Sequence, residues 1–208
     1  MLKGNVEIAA PAVSKIKKYA PRLQVLDLPF LFVSPDAANN FLPGPYGDRM
    51  LRLVERHGLL GLGFLNNGMK QLSTKTSAKV PTDINGLRFR IMNSDVLETQ
   101  FKQIAAEPIR KPFGKVYELL KTNEIDGQEN TWSNIYSKEF YKLQENIIES
   151  NHGYLGYMVM TNKQFWNNLS KEYQFILGLS LKDAMRSVWQ LYEDQIGSEL
   201  ILAAAYSR

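Results

Sequence analysis

Apolar positions along the chain repeat with two periods. Alternation marks strands: Val6-Glu7-Ile8-Ala9-Ala10 and Leu23-Gln24-Val25-Leu26-Asp27-Leu28 read as strands flanking a helix-compatible segment around Ser14 to Tyr19, which predicts a βαβ-like opening. Leu59 to Leu65 reads as a buried strand, and Asn66-Asn67-Gly68 supplies turn chemistry after it, because asparagine and glycine tolerate positive φ. Leu87, Phe89 and Ile91 alternate with Arg88, Arg90 and Met92, so one face of this strand is apolar, the other carries guanidinium groups, and Arg90 has a defined direction. Ile147-Ile148 and Tyr157-Met158-Val159-Met160 are later strand candidates.

The helical period sets in after Ser34-Pro35, with the serine as cap and the proline in the first turn, and again from Asp48 to His57, which carries Leu51 and Val54. Asp95 with Glu98 three residues on resembles a capping box, opening a helix whose stripe is Leu97, Phe101, Ile104 and Ala105. Shorter helices are predicted around Tyr117 to Lys121 and Asn162 to Asn168. From Ser170 to about Ala205 a nearly unbroken helical pattern runs through Tyr173, Ile176, Leu177, Ala184, Met185, Val188, Trp189, Tyr192, Ile196 and Leu200. It is long for one compact domain, and Gly178 and Gly197 are candidate bends dividing it into two or three helices. Strands interleaved with helices predict an α/β fold.

Asp126-Gly127-Gln128-Glu129-Asn130-Thr131-Trp132 interrupts this pattern with carboxylates, amides, a hydroxyl and an indole directly after the apolar Val116, Leu119, Leu120 and Ile125. Polar density at the end of an element suggests a site, since ligands of α/β folds gather at the carboxyl ends of strands. Asp126-Gly127 fits a turn there.

The 208 residues, 44% hydrophobic and 22% charged, suffice for one substantial domain or two small lobes. A net charge of +4, with Lys and Arg scattered rather than blocked, argues against nucleic acid as a partner. The absence of cysteine excludes disulfides, thiolate metal sites and a cysteine nucleophile, while leaving the compartment open. No stretch approaches the ~20 apolar residues of a membrane span, and Met1-Leu2-Lys3-Gly4 leads into a strand-like segment rather than a signal peptide.

Catalytic signatures are scarce: there is no His-Glu-x-x-His, Gly-x-Ser-x-Gly or phosphate-binding loop, and Gly58, Gly61 and Gly63 do not form a dinucleotide fingerprint. The two histidines, His57 and His152, lack metal-ligand spacing. Glu118, Asp126 and Glu129 offer carboxylates for general-base chemistry without an accompanying nucleophile, so an enzyme of small organic acids and a ligand-free sensor or interaction module stand as competing readings. The chain does offer groups suited to holding an anion. Arg90 can grip a carboxylate through two parallel hydrogen bonds, Lys70 adds a second positive charge, Asn130 an amide donor, and Phe113 and Trp132 apolar walls.

Several blocks carry a resemblance. Gly4-x-Val6-Glu7-Ile8-Ala9-Ala10-Pro11, Asp27-Leu28-Pro29-Phe30-Leu31-Phe32, Asn67-Gly68-Met69-Lys70, Gly86-Leu87-Arg88-Phe89-Arg90, Ser94-Asp95-Val96-Leu97-Glu98, Pro112-Phe113-Gly114-Lys115-Val116-Tyr117 and the run from Asp126 to Tyr136 occur in this order. In that order they resemble substrate-binding proteins of tripartite ATP-independent periplasmic (TRAP) transporters, of the C4-dicarboxylate-binding type. The resemblance implies a two-lobed, periplasmic-binding-protein-like α/β fold (type II-like) with a long helix spanning both lobes, and a periplasmic receptor without catalysis, cofactor or metal. It implies a salt bridge from Arg90 to a ligand carboxylate, contacts from Lys70 and Asn130, packing by Phe113, and a pocket lined also by Asn93 and Trp132. Many relatives carry arginine where Lys70 stands, and lysine is the less directional cation. The partners implied are a small carboxylate ligand and the transporter's membrane subunits.

Two cations facing one cleft suit succinate, malate or fumarate, because a monocarboxylate would leave one buried charge unpaired at a cost of several kcal/mol; a keto, sugar or sialic acid is the alternative. Residues 1–67 with about 156–195 are expected to form one lobe, and 68–155 with about 196–208 the other. The resemblance also implies that the first lobe lacks an amino-terminal part here.

Overall fold

A computed structural model of the chain describes residues 1–2 and 5–206, with side-chain surroundings described as far as residue 188. Its elements in chain order are β1 (Ile8–Ala9), α1 (Pro35–Phe41), α2 (Pro45–Leu51), β2 (Leu59–Thr74), β3 (Arg88–Ile91), α3 (Asp95–Gln103) and β4 (Glu107–Arg110). These are followed by α4 (Val116–Lys121), β5 (Gly127–Thr131), α5 (Trp132–Ser137), β6 (Asn146–Asn162), α6 (Lys163–Asn168) and α7 (Lys171–Tyr206), with short 3₁₀ segments between.

One six-stranded sheet, in the order β1-β6-β2-β5-β3-β4, organises them. The strands β2 and β6, 16 and 17 residues long, pair antiparallel over most of their length and form its spine. Their flanks bury separate apolar clusters. One gathers Leu23, Leu26, Val54, Met69, Tyr154 and Met158, a second Phe89, Ile91, Leu97, Phe101 and Leu155, and a third Val116, Leu120, Ile125, Ile135 and Phe140. Because β6 contributes to the first and second, these long strands tie the clusters together.

The opening is not βαβ. β1 is only two residues long and pairs antiparallel with β6, and Pro21–Asp27 is a 3₁₀-helix. Leu23 and Leu26, three residues apart, are fully buried while Val25 and Leu28 are exposed. The buried pair thus follows the period of three of a 3₁₀ turn, and Pro21 at its start presets the backbone.

Asn66-Asn67-Gly68 does not end a strand either. β2 runs straight through it, with the register against β6 shifting between Asn66 and Met69. Gly68 takes φ +97°, and its N–H donates to Asn66 Oδ1 at 2.7 Å, so the local turn chemistry makes a bulge inside a longer strand.

Ser34 caps α1 as expected, its Oγ accepting from Ala37 N–H at 3.2 Å. The second helix begins three residues before Asp48, at Pro45, and turns into a 3₁₀ segment at Arg52. Ser94, rather than Asp95, caps α3 by accepting from Leu97 N–H; Asp95 instead pairs with Lys17 and Arg110, each at 2.8 Å.

The long helical pattern is one helix of 36 residues, unbroken at Gly178 and Gly197. It rests on β2, where a Cβ at Gly63 would come within 2.5 Å of Met185 Sδ. Trp189, Tyr192, Ile196 and Leu200 lie beyond the described side chains, and Gly4 lies outside the described residues.

Close backbone packing elsewhere yields a test. A Cβ on Gly47 would lie 1.7 Å from the Leu42 carbonyl oxygen, where α2 crosses the end of α1, whereas Gly114 faces open space. Gly47→Ala is expected to lower unfolding stability in urea by at least ~2 kcal/mol, with Gly114→Ala within ~0.5 kcal/mol of the parent. Equal midpoints for the two variants would contradict the packing described.

Candidate binding site

The sheet order creates the site. β3 lies between β4 and β5, parallel to both. From β3 the chain passes through α3 to β4 on one side, whereas from β5 it passes through α5 to β6 on the other. Adjacent parallel strands whose continuations diverge leave a crevice at their carboxyl ends. Arg90 and Met92 stand at the end of β3, and Glu129 and Asn130 near the end of β5; all four line one cavity.

Arg90 is buried, 2% exposed. Its Nε donates to the Lys111 carbonyl at 2.9 Å, and no carboxylate of the described residues lies within ion-pair distance of it. Burial lowers its pKa to about 10, which Glu129 partly opposes, so the guanidinium remains charged at neutral pH. This buried cation faces a cavity without an ion-pair partner among the described residues.

Lys70, on β2, lines the same cavity but is differently placed. It is 1% exposed, and its Nζ lies 2.8 Å from Glu129 Oε2. His152 Nε2 approaches the same oxygen at 3.2 Å, and Ser150 Oγ lies 2.8 Å from His152 Nδ1. Burial pushes the Glu129 carboxyl up, but the charge of Lys70 and the hydrogen bond from His152 outweigh it and hold the pKa at about 2. The Lys70 charge is therefore already balanced inside the protein.

Asn130 sits in a hydrogen-bonded chain: its Nδ2 donates to Gln128 Oε1 at 3.2 Å, and its Oδ1 accepts from Asn134 Nδ2 at 2.6 Å. The amide is thus fixed in orientation. Phe113, half-buried at the start of the segment leading to α4, lines the cavity and packs edge-on against Phe140.

Four of the six predicted residues, Arg90, Lys70, Asn130 and Phe113, accordingly line one cavity. Asn93 does not: it is exposed, and its Oδ1 accepts from Arg110 Nη1 at 3.1 Å beside the Asp95 and Glu98 ion pairs. Trp132, half-buried at the first position of α5, is also outside the lining. Lys15, Asn134 and Tyr157 line the cavity without having been singled out. Asn134, four residues beyond Asn130 across a strand–helix junction, had no periodic signal, and Tyr157 was read only as strand.

Asp126-Gly127 does not turn the chain at the end of an element; it leads into a strand. Residues Gly127 to Thr131 form β5, a central strand buried throughout, and Asp126 braces the start of β3. Asp126 accepts from Arg88 Nε and Nη2 at 3.0 and 2.8 Å and from Arg88 N–H at 2.9 Å, contacts that lower its pKa. Glu118 lies exposed on α4, Asp126 is held by Arg88, and Glu129 is held ionised by Lys70. The three acids proposed as a general base do not converge.

A larger, mainly apolar groove of about 900 Å³ lies elsewhere, walled by residues such as Leu28, Phe30, Ile84 and Phe101. Size alone would favour it. The smaller cavity has the convergent polar groups and the unpaired guanidinium, and chemistry decides.

A mixed sheet of this order, with a buried arginine at its switch point, is the arrangement of a solute-binding protein of the two-lobed periplasmic class. The chain belongs to the bacterial extracellular solute-binding protein family 7, whose family model matches residues 1–200. It is 41% identical to a C4-dicarboxylate-binding periplasmic protein of Shewanella loihica, covering all of this chain and 74% of that protein.

Among solved structures, it resembles a TRAP periplasmic solute-binding protein from Shewanella oneidensis with bound succinate, at 44% identity and TM-score 0.95 over 98% of this chain and 67% of that one. Another, from Pseudomonas aeruginosa with bound L-malate, matches at 35% identity and TM-score 0.94 over 100% of this chain and 73% of that one. Among the described residues, no helix is long and apolar enough to cross a membrane.

Proposed function

We propose that the chain is the ligand-capturing part of a periplasmic receptor for C4-dicarboxylates such as succinate, malate or fumarate, which it delivers to the membrane subunits of a TRAP transporter. The observation that carries this reading is Arg90: a charged guanidinium buried at the switch point, with its Nε anchored and, among the described residues, no carboxylate within ion-pair distance. A ligand carboxylate would relieve that imbalance, Asn130 would orient it, and Phe113 would close the wall against water.

The C4-dicarboxylate name of the Shewanella loihica relative, and the succinate and L-malate held by the two structural neighbours, support the ligand class. Residues 1–67 with about 156–195 would move as one lobe against 68–155 with about 196–208, hinged on the β2–β6 spine. Capture then needs closure and no covalent step.

Calorimetric titration with succinate, L-malate, fumarate and butyrate tests the reading. The dicarboxylates are expected to bind, with butyrate weaker by ~100-fold or more, the scale set by a buried charge left unmatched. Equal affinity for butyrate, or no binding of any dicarboxylate, would refute it.

A further inference from the structure

We propose that Lys15, rather than Lys70, supplies the second cation of the dicarboxylate site and sets the preference for a doubly charged ligand. The inference rests on the dicarboxylate reading above and adds to it the residue that recognises the distal carboxylate.

The charges lining the cavity are Lys15, Lys70, Arg90 and Glu129. Glu129 lies 2.8 Å from Lys70 and neutralises it within the protein, so the two positive charges left for a ligand belong to Arg90 and Lys15. Their number matches a dicarboxylate dianion. Asp27 lies near Lys70 but does not line the cavity.

Lys15 lies in the 3₁₀ segment Val13–Ile16, whose other three residues, Val13, Ser14 and Ile16, are buried and fix the backbone. Its side chain is exposed and forms no ion pair among the described residues, whereas Lys17, two residues on, is committed to Asp95 at 2.8 Å. A flexible, hydrated ammonium at a cavity rim can follow a ligand's far end, a task a buried and paired lysine cannot perform.

Lys15 and Arg90 reach the same cavity from different elements. Lys15 follows β1 at one end of the sheet order, Arg90 lies on β3 toward the other, and β6, β2 and β5 intervene. Tyr157 on β6 and Lys70 on β2 line the cavity between them. With one ligand carboxylate at Arg90, the other would be met by the exposed, flexible Lys15 side chain reaching into the same cavity.

Succinate and its monomethyl ester, titrated into the parent chain, Lys15→Met and Lys15→Arg, measure this directly. The parent is expected to prefer succinate by ~10- to 100-fold, the range of one charge-assisted contact. In Lys15→Met the preference should collapse to within ~3-fold, mainly through weaker succinate binding, and in Lys15→Arg, which keeps the charge, it should be largely retained. The melting temperature of ligand-free Lys15→Met should match the parent, because the side chain is exposed.

An undiminished preference in Lys15→Met overturns the proposal. If Arg90→Met still loses succinate in that case, the dicarboxylate reading survives without Lys15. A parent chain that binds succinate no better than the monoester removes both.

Discussion

Arg90→Met is expected to weaken dicarboxylate binding by ~1,000-fold or more while leaving the ligand-free chain as stable as the parent, or more so. The two effects share one cause. The pKa of Arg90 falls well below the ordinary arginine range, to about 10, because burial disfavours the charged form. For a base with a lowered folded pKa, the unfavourable term is fully present below the folded pKa, and therefore throughout the neutral range. A shift of that size corresponds to roughly 3 kcal/mol against folding. A ligand carboxylate offsets the term by pairing with the guanidinium, a desolvated contact worth ~4 kcal/mol or more, or about three decades in affinity.

Methionine removes the penalty and the contact together, at the expense of the single hydrogen bond from Nε to Lys111 O. Calorimetry and thermal melting of parent and variant, each with and without succinate, would show a flat or raised ligand-free melting temperature and no ligand-induced shift. A variant that binds succinate within tenfold of the parent would remove Arg90 from the site. A ligand-free melting temperature that collapses would show instead that its role is structural.

Arg90 was legible because local and global signals agree there: a short strand alternates strictly, Phe89 and Ile91 are fully buried, and the intervening arginine must face the other way. Asn130 lines the cavity, but its sequence context suggests the wrong element. Gly127 to Thr131 contains no large apolar side chain, so hydropathy suggests a loop, yet it pairs on both sides as a central strand and is buried throughout. Its polar side chains are accommodated by one another and by neighbours on β2: Gln128 Nε2 donates to Ser73 Oγ at 2.8 Å, and Glu129 meets Lys70.

A strand buried through polar partners has no signature until those partners are in place. The same limit hid the pairing of Lys70, whose charge could be read from sequence but whose neutralisation required Glu129 from another strand. Leu23 to Leu28 failed for a different reason. Six residues sample three strand periods and two 3₁₀ turns about equally well, and burial of Leu23 with Leu26 decides for the latter.

Glu129→Gln is expected to be the most destabilising isosteric change in the site, lowering unfolding stability at pH 7 by roughly 3–5 kcal/mol, because it strands the buried ammonium of Lys70 beside unpaired Arg90. The pH dependence identifies the mechanism. Glu129 has a folded pKa of about 2, below its ordinary 4.5, so its stabilisation is present above pH 4.5 and is lost as pH falls toward 2. Asp27 acts in the opposite sense: burial raises its pKa above 3.8, so its ionisation opposes folding as pH rises through that window, and acid relieves it. The parent's own acid profile therefore mixes two opposing terms. The difference between parent and Glu129→Gln is dominated by the first, since Asp27 is present in both and the charge of Glu129 is the weakest of the effects acting on it. Urea unfolding at intervals from pH 7 to pH 2 should show that difference constant above about pH 5 and shrinking steadily toward pH 2. A difference that does not change with pH would mean that the glutamine disturbs packing alone and that the Lys70–Glu129 pair contributes no charge stabilisation. A difference that grows in acid would require Glu129 to be protonated in the fold, leaving the Lys70 charge free for a ligand and removing the ground for assigning the second cation to Lys15.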